Sequence, residues 1–246
     1  MLKIMFLCFF NIVFVSSACS QNVVLNTEVE AKTKYVWRAI YVGSEPFVLQ
    51  PSATLSASGF SFFIWANMNT DTSKITVNEI NYTFSYIKKF GSFSFEPAFI
   101  YYSYPVGAPN SADVSMKLYY FINDSFTLYN THYLSIMGRY GFQNNAYYTD
   151  LGLQYIRKLS EKFLVETSLS FALASSKFNF NNAGVEKGGL DNMIFNIQLP
   201  YYVTNNIYLR PRLTLSTLLM SSVRDALSPK QKTTNLIGCF SVGADI

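Results

Sequence analysis

Between Val77 and Ile87 the chain reads VNEINYTFSYI, with apolar and polar side chains taking alternate places. Ile80, Tyr82, Phe84 and Tyr86 fall on one face, and Glu79, Asn81, Thr83 and Ser85 on the other. Successive side chains of a strand point to opposite faces, so this segment separates an apolar surface from a polar one. The same alternation returns about a dozen times along the chain, paced by turns. Closed on itself behind a secretion signal, it predicts an all-β fold. That fold is a transmembrane antiparallel up-and-down β-barrel with lipid outside and water or polar packing inside.

Strands are expected near 23–37, 47–57, 60–67, 77–88, 93–103, 112–122, 126–137, 146–157, 163–174, 191–202, 207–218 and 235–246, twelve in all. Short connections at 58–60, 89–92, 123–125, 159–162 and 204–206 alternate with longer ones near 38–46, 68–76, 104–111, 138–145, 175–190 and 219–234. Outer-membrane barrels keep their short turns in the periplasm and their long loops outside, and an even strand count puts both termini on the short-turn side. A strand of about ten residues, at ~3.3 Å each and tilted ~40°, covers an apolar band of roughly 25 Å. Pro51, Pro97, Pro200 and Pro211 fall within these strands and cannot donate to a ladder. Bulges, or strand ends displaced from these bounds, are expected there. A soluble β-sandwich would also alternate. Against it, the apolar face is aromatic on nearly every strand, and the polar face carries charges in mid-strand.

Residues 1–20 read as a secretory signal: Lys3, the apolar core IMFLCFFNIVFV, then the small residues SSACS. Ala18 and Ser20 suit a cut before Gln21, leaving 21–246 as a single barrel domain. A rival cut before Cys19 would produce a lipoprotein, although Ser16 stands where a lipobox normally has Leu. Beyond this segment no run approaches the ~18 apolar residues of a membrane-spanning helix. Apolar content is instead spread two residues apart, and 18 Tyr and 22 Phe against 2 Trp suit rings at two membrane interfaces. Removing the signal takes away Lys3 and no acid, which lowers the formal charge from +4 to +3. That charge is unclustered, so nucleic acid is not an expected partner. Cys239 alone remains clear of the signal and its cleavage site, so no disulfide framework is expected.

Parity assigns the inward face. The first strand offers Asn26, Glu28, Glu30, Lys32, Lys34 and Arg38, and the eleventh offers Tyr208, Arg210, Arg212, Thr214 and Ser216. Gln50, Glu79, Glu96, Asp113, Lys117, Asp150, Gln154, Glu166, Asn196 and Gln198 join them. Closure puts the twelfth strand beside the first, and its inner face is nearly bare (Cys239, Ser241, Gly243). Arg210 and Arg212 are thus within reach of Glu28 and Glu30. The candidate pore lining is Glu28, Glu30, Lys32, Lys34, Arg38, Gln50, Glu79, Glu96, Lys117, Glu166, Arg210 and Arg212. One reading is a charged constriction that sorts solutes by sign. The other is an ion-pair network that fills the barrel, since a charge removed from water needs a partner. Twelve strands lie between a barrel of eight, filled by its side chains, and one of 16–18, which is open.

The segment KYVWRAIYVGSEPFVLQPSATL (34–55) closes the first hairpin. Parity turns Tyr35 and Trp37 outward, as interfacial aromatics near the strand end, and Arg38 inward at the rim about opposite Gln50. Tyr-x-Trp-Arg, a short loop, a Pro and a Gln opening the next strand resemble the TorF-like porins, a bacterial family also described as of unknown function. The match rests on Tyr35, Trp37, Arg38, Pro46 and Gln50, and implies a signal peptide and an outer-membrane barrel. That family usually has Gly after the Arg. Ala39 in that place argues against a tight turn directly after Arg38.

Bond chemistry finds little support. The one histidine, His132, takes the lipid-facing parity of its strand, and Ser135, three residues on, takes the opposite face. No Walker-type phosphate loop, metal-ligand spacing or nucleophile elbow is present, so no cofactor, metal or catalytic residue is assigned. The expected function is passive diffusion of small solutes through a charged lumen. Its expected partners are outer-membrane lipid, those solutes and the barrel-assembly machinery. One alternative is a non-conducting barrel acting as adhesin, receptor or envelope scaffold through loops 175–190 and 219–234. Another is a lipid-modifying enzyme of the outer membrane that depends on His132.

Overall fold

Twelve antiparallel strands pair in chain order, and the last pairs with the first. A computed structural model describes residues 23–43, 47–71, 74–138, 144–228 and 231–246. Signal segment 1–20, with Cys19, and Pro46 lie outside the described residues. The strands are β1 (Val24–Lys32), β2 (Val48–Ala57), β3 (Phe60–Asp71), β4 (Lys74–Tyr86), β5 (Phe93–Ser103) and β6 (Ser111–Phe121). They continue as β7 (Phe126–Met137), β8 (Tyr147–Lys158), β9 (Leu164–Ala174), β10 (Gly189–Gln198), β11 (Ile207–Leu218) and β12 (Thr234–Asp245). The seam is a regular ladder from Asn26–Asp245 to Lys32–Cys239, so the barrel has no free edge to satisfy. The start of β1 and the end of β12 lie at the short-turn end, where Leu25 and Ile246 exchange backbone hydrogen bonds of 2.8 and 2.9 Å.

Alternation survives as exposure. Along β12, Leu236, Phe240 and Val242 stand outward while Asn235, Ile237, Cys239, Ser241 and Gly243 are buried. Phe84, Phe99, Leu151, Phe171 and Leu213 continue the apolar outer belt around the wall. So wide an apolar surface requires lipid rather than water around it. Inside, two glycines make room for rings. Tyr129 faces Gly152 and Tyr208 faces Gly243 across their ladders, and a Cβ on either glycine would come within 2.3 Å of the opposing ring.

The prolines are accommodated differently from the expectation of bulges. Pro51, Pro97 and Pro211 keep regular pairing on one side, with Val29, Met116 and Phe240. On their other side the ladder skips two residue pairs without losing register, so a missing N–H costs no slip. Pro200 lies past the end of β10, at the same gap as Pro211. Bulges occur elsewhere, at Asn67/Met68, Ser135/Met137 and Ala172/Leu173.

Three loop-end segments depart from the expected loops. Most of 68–76 is strand, since β3 runs to Asp71 and β4 starts at Lys74. Loops 175–190 and 219–234 contain helices α1 (Ser176–Ala183) and α2 (Ser221–Leu227). Ser175 caps α1 by accepting from the Phe178 N–H at 3.2 Å, and Gly184 ends it in the left-handed region (φ 71°). Finally, β1 stops at Lys32 instead of running to residue 37, and the chain then turns into the lumen.

Candidate functional site: the lumen

The half of the lumen nearer the short turns is a ladder of ion pairs and amides. Arg210 and Arg212 on β11 reach across β12 to Glu28 and Glu30 on β1, over the small side chains of Ser241 and Gly243. Glu30 is held further by Lys32 (2.9 Å) and by the Ser241 hydroxyl (3.4 Å), and Tyr208 donates to Glu28 (2.8 Å). On the opposite wall Lys117 stands 3.9 Å from Glu96, to which Tyr119 also donates. Gln198 donates to Glu166, and Asn196 bridges Ser168 and Thr214. A polar cavity of about 190 Å³ opens among Gln154, Glu166, Ser168, Asn196, Gln198 and Arg212.

The loop-end half is built around an inward hairpin. Val36–Trp37 pairs with Ile40–Tyr41 around a two-residue turn, with φ 49° at Arg38 and 64° at Ala39. Positive φ at both central residues is the twist a tight two-residue hairpin demands, so the tight turn doubted on account of Ala39 does form. It carries Arg38 across the lumen to the far wall. The guanidinium lies 3.5 Å from Asp113 on β6 and over the rings of Trp37 (4.4 Å), Tyr133 of β7 (4.2 Å), Tyr148 of β8 (4.4 Å) and Phe178 of α1 (5.3 Å). Four ring faces and one carboxylate replace its water. Asn192 of β10 donates to the Arg38 carbonyl at 3.3 Å, and the buried Tyr35 hydroxyl donates to Glu79 of β4 at 3.1 Å. Ala39 and Ile40 pack with Leu218, Met220, Val223 and Leu227, so α2 covers the hairpin while α1 supplies Phe178. A cavity of about 290 Å³ remains between the hairpin and the wall, lined by Tyr35, Trp37, Arg38, Glu79, Tyr102, Asp113 and Asn182 among others.

Two sequence expectations are corrected here. Tyr35 and Trp37 are not interfacial aromatics; they lie inside, because β1 ends five residues before Trp37 and strand parity no longer applies. Arg38 is not at a rim opposite Gln50. Gln50 is fully buried on β2, pairs with Glu30 in register and donates to Asn67 at 2.8 Å. Lys34 sits by Asn235 (3.3 Å). Glu28, Glu30, Lys32, Glu79, Glu96, Lys117, Glu166, Arg210 and Arg212 project into the lumen.

The ring cage of Tyr133, Tyr148 and Phe178 was not anticipated. Ser175 and Gly184 bracket a helix-length stretch and could have placed α1, but nothing local marks Phe178 as its inward residue. His132 stands on the outer wall against the Tyr147 hydroxyl, whereas Ser135 lines the inner cavity. The barrel wall separates them.

Inward charge is unequal among the described residues. Lys32, Lys34, Arg38, Lys89, Lys117, Arg210 and Arg212 make seven bases. Glu28, Glu30, Glu79, Glu96, Asp113, Asp150, Glu166, Asp191 and Asp245 make nine carboxylates.

No family model matches the chain, and no curated protein does. Solved structures do. The NanC porin superposes with a TM-score of 0.56 at 11% identity, over 89% of this chain and 98% of that one. The KdgM porin in complex with disordered oligogalacturonate gives 0.52 at 11%, over 90% and 97%. An outer membrane channel from Pseudomonas putida F1 gives 0.53 at 8%, over 93% and 97%. Shared over almost their whole lengths at such low identity, the likeness is one of architecture: the chain is a twelve-stranded β-barrel of the kind that spans the bacterial outer membrane.

Proposed function

We propose that the chain is a porin-like channel of the outer membrane, through which small polar solutes diffuse passively past a charged interior. The observation that carries the reading is the polar inner face, which continues from Asn26 and Asp245 at the turn end to Glu79 and Asp113 near the hairpin. A barrel meant only to be solid can fill itself with its own side chains at eight strands. This one has twelve and lines them with charge. Three solved barrels of like architecture are two porins and an outer membrane channel, which supports the same reading. Pore-lining roles fall to Glu28, Glu30, Lys32, Lys34, Arg38, Glu79, Glu96, Lys117, Glu166, Arg210 and Arg212, with the buried Gln50 supporting them from β2. The hairpin of residues 33–43 sets the narrowest point. No bond is made or broken, and lipid, small solutes and the assembly machinery are the partners.

The likeness of Tyr35, Trp37, Arg38 and Gln50 to the TorF-like porins belongs to this proposal. Three of the four build the inward hairpin, which gives such a motif a physical purpose. The test is single-channel conductance of the refolded chain in a planar bilayer, beside a variant in which residues 35–42 are replaced by a Gly/Ser linker. Steady conductance that rises in the variant supports the channel and its constriction. Silence from both, with the barrel demonstrably folded, overturns it.

One observation favours a second reading. The hairpin, α1 and α2 pack a shared apolar cluster over the loop-end half of the lumen. A barrel closed in this way would act through its outer surface, as adhesin, receptor or scaffold. That is the reading that silence would promote.

A further inference from the structure

We infer that the lumen carries a net negative charge and admits cations, such as potassium or a protonated amine, in preference to anions. This rests on the channel reading above. The whole chain is basic, with a formal charge of +4, yet its inner face holds two more carboxylates than bases among the described residues. Much of the basic excess sits elsewhere: Lys88, Lys158 and Lys177 are exposed beyond the strands or at their ends. A solute in the lumen meets the inner face, and the charge of the molecule as a whole is a poor guide to the charge it experiences.

The pairing pattern sharpens the point. Arg38, Lys117, Arg210 and Arg212 each stand against a carboxylate, which cancels their field at a distance. Asp150, Glu166 and Asp191 have no lysine or arginine within ion-pairing distance among the described residues. Glu166 and Asp191 accept instead from the neutral amides of Gln198 and Asn192. These carboxylates are spaced along the axis: Asp191 near the loop end of β10, Asp150 within β8, and Glu166 near the turn end of β9. A cation therefore keeps a compensating charge in range along its path, and an anion finds no matching series. One uncompensated charge about 8 Å away through water changes the local concentration of a small ion about twofold, so three favour cations on the order of five- to tenfold.

The experiment is the reversal potential of the refolded full chain under a potassium chloride gradient, together with the Asp150→Asn, Glu166→Gln variant. Expected is a potassium-to-chloride permeability ratio of about five or more, falling at least twofold in the variant. A conducting channel that prefers chloride, or a ratio the variant leaves unmoved, overturns this inference and leaves the channel reading intact. A folded barrel that conducts nothing overturns both.

Discussion

The two halves of this lumen solve one problem in opposite ways. Both begin from the same wall, where alternation points polar side chains inward. In the turn-end half those side chains meet one another, and Arg210 and Arg212 keep about a quarter of their surface (24% each) exposed while paired with Glu28 and Glu30. In the loop-end half the chain folds back into the space, and Arg38 keeps 11% while rings surround it. An arginine between a carboxylate and aromatic faces has exchanged water for protein almost entirely. An arginine in a ladder of pairs still has water to fall back on. The contrast teaches that strand parity fixes which face a residue takes, whereas burial of its charge depends on whether another segment arrives to cover it.

Matched substitutions put this contrast at risk, taken in order of expected size. Arg38→Ala strands the nearly buried Asp113 carboxylate and empties the ring cage. We expect it to cost about 3–5 kcal/mol in urea unfolding from lipid vesicles. A loss under about 1 kcal/mol would show that the loop-end half is as wet as the other. Gly243→Ala places a methyl group in the Tyr208 ring and displaces its hydroxyl from Glu28. About 1–3 kcal/mol should be lost, with Gly152→Ala behaving alike against Tyr129. Arg212→Ala removes one of two bases at Glu30 and leaves Lys32 in place at 2.9 Å. Its cost should be about 1 kcal/mol, well below that of Arg38→Ala, and equal costs would erase the distinction between the halves. Ala39→Gly relieves a residue at φ 64° but loosens the unfolded chain and removes a buried methyl packed against Leu218 and α2, so the opposing terms should leave a net loss under about 1 kcal/mol by the same unfolding assay.

Much of the wall was legible because a strand's periodicity is local. Twelve strands, their direction, the turn-end connections and the inward set on β1, β11 and β12 all follow from a two-residue repeat read between turn signals. Tyr35 and Trp37 show where that rule fails. They hold the outward parity of β1, and it is the loss of ladder partners after Lys32 that ends the strand. No residue near Lys32 announces this, since the cause lies in Asp113, Tyr133, Tyr148 and Phe178, as far as 140 positions further on. The helices in 175–190 and 219–234 were missed for a related reason. At eight and seven residues they are too short to stand on propensity and are held by packing on the hairpin.

A closed apolar-out, polar-in wall is already written into the residue pattern, because hydrophobic patterning and backbone hydrogen bonding act between neighbours and leave one solution in lipid. What occupies the space within that wall is settled by the folded chain. A cylinder of twelve strands leaves room that no wall residue fills, and three distant segments meet there. Which segment enters, and how far, depends on contacts that exist only once the barrel has closed.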